Sequence, residues 1–155
     1  MLTVTLSVRL RSNSLARIIK TGSAGKDRKM YEKSIVIAIR ELMKQSNLNK
    51  NTYDLVAYIA FALKAIGETV DESVAAWEKR GYWLKADHYR MEWNWTTRLG
   101  EDLQKALQKE DWGRVASLSA QVSQKLSKVK VSQNHRLGEP WIGAWGKLIG
   151  PNQGH

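Results

Sequence analysis

Between residues 52 and 109 the apolar positions recur in alternating steps of four and three. Val56, Ala60, Leu63, Gly67, Val70, Val74 and Trp77 form one line, and Tyr82, Ala86, Tyr89, Trp93, Thr96, Gly100, Leu103 and Leu107 form a second. Side chains three and four apart lie above one another on an α-helix, so each line is one helix face. The pattern predicts helices over about 52–80 and 82–109, joined at Lys79-Arg80-Gly81. Leu55, Ile59, Ala62 and Ile66 lie beside the first line and widen it, as suits a central helix with neighbours on two sides. Long amphipathic helices can bury their stripes only against each other and against further helices. The expected fold is therefore all-α, an antiparallel bundle of about four to five helices.

The flanking segments supply the other helices. Gly22-Ser23-Ala24-Gly25 reads as a break and Asp27 as the N-cap of a helix lined by Tyr31, Ile35, Ala38, Ile39 and Leu42 and ending near Lys44, with its basic residues spread over the remaining faces. Asn47-Leu48-Asn49-Lys50-Asn51 is a polar loop, after which Thr52 caps the central helix. Gly67 marks a close-packing point inside that helix, and Gly81 a turn. Asp111 caps a fourth helix lined by Trp112, Val115, Ser119, Val122, Leu126 and Val129 and ending near Val129.

The chain thus divides into a basic arm (1–26), a helical bundle (27–130) and a tail (131–155). In the arm, Val4, Leu6, Val8 and Leu10 alternate with polar residues at a strand's period, over an Arg- and Ser-rich segment with no acid. It reads as a loosely structured arm that orders on a partner. An edge strand, a transit peptide, or a segment upstream of a true start near Met30 are the alternatives. In the tail, Trp141 and Trp145, four apart, pin the segment to the bundle or, failing that, form a partner-binding peptide.

Composition adds charge to this picture. The 155 residues are 43% hydrophobic and 26% charged, ordinary for a folded soluble protein. Lys and Arg number 25 against 15 Asp and Glu, a net charge of +10 that points to a polyanion or an acidic protein surface. Residues 1–50 hold 11 basic and 3 acidic residues, 51–124 hold 9 and 11, and 125–155 hold 5 and 1. The excess sits at the two ends of the sequence, which become one directed face if the bundle brings them together. The candidate phosphate contacts are Lys26, Arg28, Lys29 and Lys33, then Lys79 and Arg80, then Lys125, Lys128 and Lys130. Seven Trp stand beside one Phe. Trp77 and Trp93 fall on core lines, whereas Trp83 and Trp95 lie off them beside Lys85 and Arg98; core packing is the first reading for each Trp, and an exposed indole there would instead stack on unpaired bases or an Arg plane, or join a protein interface. With no cysteine, disulfides and thiolate metal sites are excluded. No apolar run reaches the roughly 18–20 residues of a membrane span, and the expected location is the cytoplasm.

Catalytic patterns are absent. Glu68, Asp71, Glu72 and Glu78 cluster on one predicted helix, with Asp87, His88 and Glu92 on the next. No Glu is followed three residues later by His, as a di-iron bundle requires. Glu68 and Asp71 give one acidic pair without a second, so these acids read as surface ion-pairing groups. His88 reads as a core or interface residue, and His135-Arg136 as a phosphate contact or a solvated pair. No Arg precedes a His by the four to six residues of helical ribonucleases of the HEPN type, and neither a nucleophile elbow nor a phosphate-binding loop occurs. The expectation is a non-enzyme with no metal and no cofactor.

Over roughly residues 27 to 130, in size, helical content and basicity, the chain resembles the small α-helical subunits of CRISPR effector complexes, which line the path of guide and target strands. The resemblance rests on no motif and carries over no residue by position. It implies a non-catalytic, sequence-independent nucleic-acid-binding subunit of a ribonucleoprotein complex. Its partners would be RNA or single-stranded DNA and other protein subunits. Two other readings stand beside it: a protein-interaction or homodimeric structural protein using the Trp-rich tail and the wide apolar face, and a metal-dependent helical hydrolase using Glu68, Asp71 and Glu72.

Overall fold

The computed structural model describes residues 21–149. Four helices, α1 (Ala24–Lys44), α2 (Lys50–Lys79), α3 (Trp83–Gln108) and α4 (Trp112–Lys125), pack antiparallel, and a short α5 (Ala144–Ile149) closes one end. The all-α bundle expected from the stripes is the fold. The strand period near Val4 lies outside the described residues.

The central helix is α2, in which nearly every side chain from Leu55 to Ile66 is buried. Toward α1, the Tyr58 hydroxyl donates to Ser34 Oγ at 2.7 Å and Ser34 donates to the Tyr31 carbonyl at 2.8 Å, so the polar atoms in this seam are paired. Toward α3, glycines let two backbones approach. A Cβ on Gly100 would lie 3.1 Å from the Ala60 carbonyl oxygen, and one on Gly67 would collide with the Thr97 hydroxyl. Gly67 is the close-packing point that its place in the stripe predicted.

Two caps fall on other residues than expected. Ser23, not Asp27, caps α1, its side chain accepting from the Lys26 amide at 3.4 Å, so the helical domain starts earlier than residue 27. Asp27 sits in the first turn, where its carboxylate takes the amide and hydroxyl of Thr21 at 2.9 and 3.0 Å and ties the entering chain to the helix. Asn49, not Thr52, caps α2. Thr52 is the other half of a reciprocal capping box, its hydroxyl accepting from the Asn49 amide at 3.3 Å while its own amide donates to Asn49 Oδ1 at 3.1 Å. Asp111 caps α4 as expected, accepting from the Arg114 amide at 3.1 Å.

Both helix connections around α3 use the same device. At the α2–α3 turn, Tyr82 N–H donates to the Trp77 carbonyl at 2.9 Å and Gly81 N–H to Glu78 at 3.0 Å, with Gly81 at φ +81°. At the α3–α4 turn, Asp111 N–H donates to Ala106 at 2.9 Å and Glu110 N–H to Leu107 at 2.9 Å, with Glu110 at φ +54°. Each is a Schellman ending, whose left-handed residue ordinarily is glycine.

The fourth helix ends at Lys125, a turn short of Val129. The chain then passes along the second half of α1, where Arg40 Nη1 donates to the Val131 carbonyl at 3.4 Å, and reaches the start of α2. There Asp54, buried at 3% exposure, accepts from the Gly143 and Trp145 amides at 3.1 and 2.9 Å and so caps the last helix from across the bundle. Trp141 is 3% exposed, and the half-buried Trp145 lies 5.2 Å from the Tyr53 ring, which is itself edge-on to Trp112. The tail therefore docks on its own bundle. This is the pinning that the spacing of Trp141 and Trp145 predicts, with Trp141 buried against the bundle and Trp145 half-buried.

Candidate nucleic-acid interface

The outward face of α1 is a row of cations. Lys26, Lys29, Lys33, Arg40 and Lys44 are exposed and follow one another at spacings of three, four, seven and four, which keeps them on one side of the helix. Ile37 fills the intervening step and is buried beside the passing segment, next to Val131 in a groove of about 690 Å³ that Arg40, Met43, Lys44 and His135 also line. The row extends about 27 Å, at 1.5 Å per residue. Among the described residues, one acid of α1 pairs with a member of the row. Asp27 is bound to Thr21, Glu41 pairs with Lys44 at 3.1 Å, and Glu32 is half-buried, where desolvation raises its pKa against the opposing charges of Arg28 and Lys29. Among the described residues, Lys26, Lys29, Lys33 and Arg40 have no ion-pair partner.

The end of α4 adds to this face. Lys128 and Lys130 are exposed and directly precede Val131, which the bond from Arg40 fixes against α1. Lys125 lies over the Trp95 ring at 5.8 Å, and Trp95 stacks on Trp93, whose ring also receives the Arg28 guanidinium at 5.8 Å. Lys125 and the buried Arg28 thus flank one aromatic pair on α3.

Several expected positions differ. Arg28 is 9% exposed: its Nη1 donates to Thr69 Oγ1 at 3.1 Å and its guanidinium also faces the Tyr89 ring at 5.2 Å. It fastens α1 to α2 and α3 and cannot present its charge to a phosphate. Burial raises the pKa of Tyr89, with the charge on Arg28 opposing. Lys79 and Arg80 are exposed but stand at the α2–α3 turn, separated in sequence and position from the α1 row, beside an Arg90 that binds Glu78 at 2.5 Å and Asp87 at 2.9 Å. Trp95 is buried, as core packing predicts, while Trp83 is 61% exposed and departs from that reading. His88 is exposed on α3, not in the core. His135 Nδ1 accepts from the Leu137 amide at 3.3 Å within a turn.

The acids of α2 divide. Glu78 is ion-paired, whereas Glu68, Asp71 and Glu72 are exposed and form no ion pair among the described residues. Glu68 and Glu72 line a cavity of about 190 Å³ with Asp27 and Tyr31, and burial, followed by the charges of Asp27 and Glu68, raises the Tyr31 pKa. Among the described residues, no three or more His, Asp and Glu converge in a metal-binding group. No described helix is long and apolar enough to cross a membrane.

Two groups escaped the sequence reading. Arg40 and Lys44 complete the α1 row, and their spacing from Lys33 was the available signal, since the basic residues of α1 align rather than spread. Asp54 announced itself only as an acid inside the run Tyr53-Asp54-Leu55-Val56. No protein-family model, curated protein or solved structure matches the chain.

Proposed function

We propose that the α1 row, continued by Lys130, Lys128 and Lys125, binds the phosphate backbone of nucleic acid without reading sequence, and that the chain is a non-catalytic subunit of a ribonucleoprotein assembly of the kind it resembles. The observation that carries this reading is the row itself: exposed cations one or two turns apart on one side of α1, with a single ion-paired member, Lys44, among the described residues. Like charges this close repel one another on a helix. A polyanion laid along the row removes that repulsion and releases its own counterions. The row runs along an exposed helix face, with a groove beside only its Arg40–Lys44 end, and long Lys and Arg side chains on such a face suit backbone contact over sequence readout. Lys79, Arg80 and exposed Trp83 form a smaller patch at the bundle end that an emerging strand would reach.

Fluorescence anisotropy with single- and double-stranded RNA and DNA tests this. Binding should fall with salt at about −0.9 in log-log slope for each duplex phosphate neutralised, so about −5 for five or six contacts. Changing Lys29, Lys33 and Arg40 together to Glu should abolish it, and changing Lys125, Lys128 and Lys130 to Glu should weaken it. Absence of binding at low salt, or binding that neither triple variant alters, overturns the proposal.

A further inference from the structure

Four of the seven large hydrophobic side chains exposed among the described residues fall between 82 and 91: Tyr82, Trp83, Leu84 at 75% and Met91 at 71%. For Leu84 and Met91 the cause is a mismatch of helix lengths. The side of α3 that faces α4 is marked by Asp102, beside Arg114 at 3.9 Å, and by Trp95, under Lys125. In steps of four and three this side continues from Trp95 back through Met91, His88 and Leu84. Since α4 ends at Lys125, opposite Trp95, the first turns of α3 carry the same apolar stripe with nothing from the described chain on it. An uncovered apolar stripe of this kind marks an interaction surface.

We infer that a second copy of this chain covers it, the two α3 helices packing antiparallel about a two-fold axis between Asp87 and His88. The positions are self-complementary. Leu84 and Met91 are equidistant from that axis, so Leu84 of each copy meets Met91 of the other. Lys85, whose ammonium lies over the Trp77 ring of its own chain at 4.5 Å, and Glu92, nearly two full turns on, lie on one flank of the stripe, and neither is ion-paired among the described residues. The two-fold brings Lys85 of one copy to within two residues' rise, about 3 Å along the helix, of Glu92 in the other, and the reverse pair forms as well. On the opposite flank, Asp87 is already bound by Arg90 at 2.9 Å. An isologous interface requires each patch to match itself, and this one does in the placing of its apolar residues and of its charges. The exposed Trp83 lies at its margin as an aromatic anchor.

Sedimentation velocity on the whole, nucleic-acid-free chain from about 1 to about 300 µM, the range in which small interfaces titrate, tests the inference. A reversible monomer–dimer equilibrium is expected. Leu84→Glu and Met91→Glu should each weaken it at least tenfold with helicity unchanged, because both side chains are exposed in the monomer. Lys85→Glu and Glu92→Lys should each weaken it, and their combination should restore it. The charge-swap set decides even if an apolar-to-Glu variant loses helicity. A monomer at every concentration, a dimer indifferent to Leu84→Glu, or a double swap weaker than either single change overturns the inference, as does a monomer whose stripe is taken by a different protein.

Discussion

The two ends of the bundle are built alike and finished differently. At one end α3 passes into α4 through a Schellman turn, with Tyr53, Trp112 and Trp145 gathered beside it; at the other α2 passes into α3 through a second Schellman turn, with Tyr82, Trp83 and Leu84 beside it. Residues 131–149 fold back over the first end and bury Trp141 there. No described segment does the same at the second end. Aromatic content therefore does not distinguish a core cluster from a bare surface in this molecule. What distinguishes them is whether another part of the chain arrives to cover them, and the closed end has Asp54 to hold what arrives.

The largest expected contrast tests that difference directly. Trp141→Ala at the closed end removes a ring that is 3% exposed and should cost about 3–5 kcal/mol of stability, the range for a buried Trp truncated to Ala. Trp83→Ala at the open end removes one that is 61% exposed and should change stability by no more than about 0.5 kcal/mol. Urea denaturation at low micromolar concentration measures both. Equal costs would mean that the open end is also covered, by a segment outside the described residues or by a stable partner copy.

The long stripes made most of the fold legible. Two apolar lines with a glycine turn between them left a helical bundle as the one consistent packing, and Asp111 followed by Trp112 marked the fourth helix. Helix starts were harder, because Ser23 and Asp27 are both good capping residues. The choice depends on where the preceding Thr21 places its own donors. Arg28 was legible but not read: it stands three residues before Tyr31 and seven before Ile35, on the buried line itself. The exposure of His88 was not legible, since it depends on where α4 stops. The spacing within α3 carries no information about the length of the helix that follows it. The α1 row needed only the step from Lys33 to Arg40 to be counted, with Ile37 between them.

A smaller effect separates holding the tail from covering the end. Asp54→Ala leaves the Gly143 and Trp145 amides without their shared carboxylate while keeping every aromatic ring in place. Loss of a buried acceptor for two backbone donors should cost about 1–3 kcal/mol. Because those donors lie on the tail alone, the loss should appear first as local opening. Proteolysis within 131–143 should accelerate, and Trp145 fluorescence should shift before the bundle melts. If cleavage elsewhere rises in parallel, the tail is part of one cooperative unit with α2 and α3, and the closed end is closed by packing rather than by Asp54.

The smallest effect lies in the turns themselves, where the two ends place different residues in the same conformation. Gly81 takes its positive φ without strain, so Gly81→Ala should cost about 1 kcal/mol at the open end. Glu110 takes a positive φ at the closed end despite its side chain, and its carboxylate accepts a hydrogen bond from the Tyr53 hydroxyl. Glu110→Gly relieves the backbone and loses that bond, so its net change should be smaller than that of Gly81→Ala. The bond has its own readout. It is the first cause of the raised Tyr53 pKa, since it holds the phenol in its protonated, donating form beside an anion. Removing it should therefore move Tyr53 ionisation down toward the ordinary tyrosine value near 10. In the parent chain the proton is held more tightly in the folded state, so this contribution to stability is present below about pH 10 and is lost as pH rises through the folded-state pKa. In Glu110→Gly that alkaline loss should flatten. An unchanged Tyr53 titration, followed by NMR, would mean that the hydroxyl is not held by Glu110 in solution, and that the non-glycine turn at the closed end stands without it.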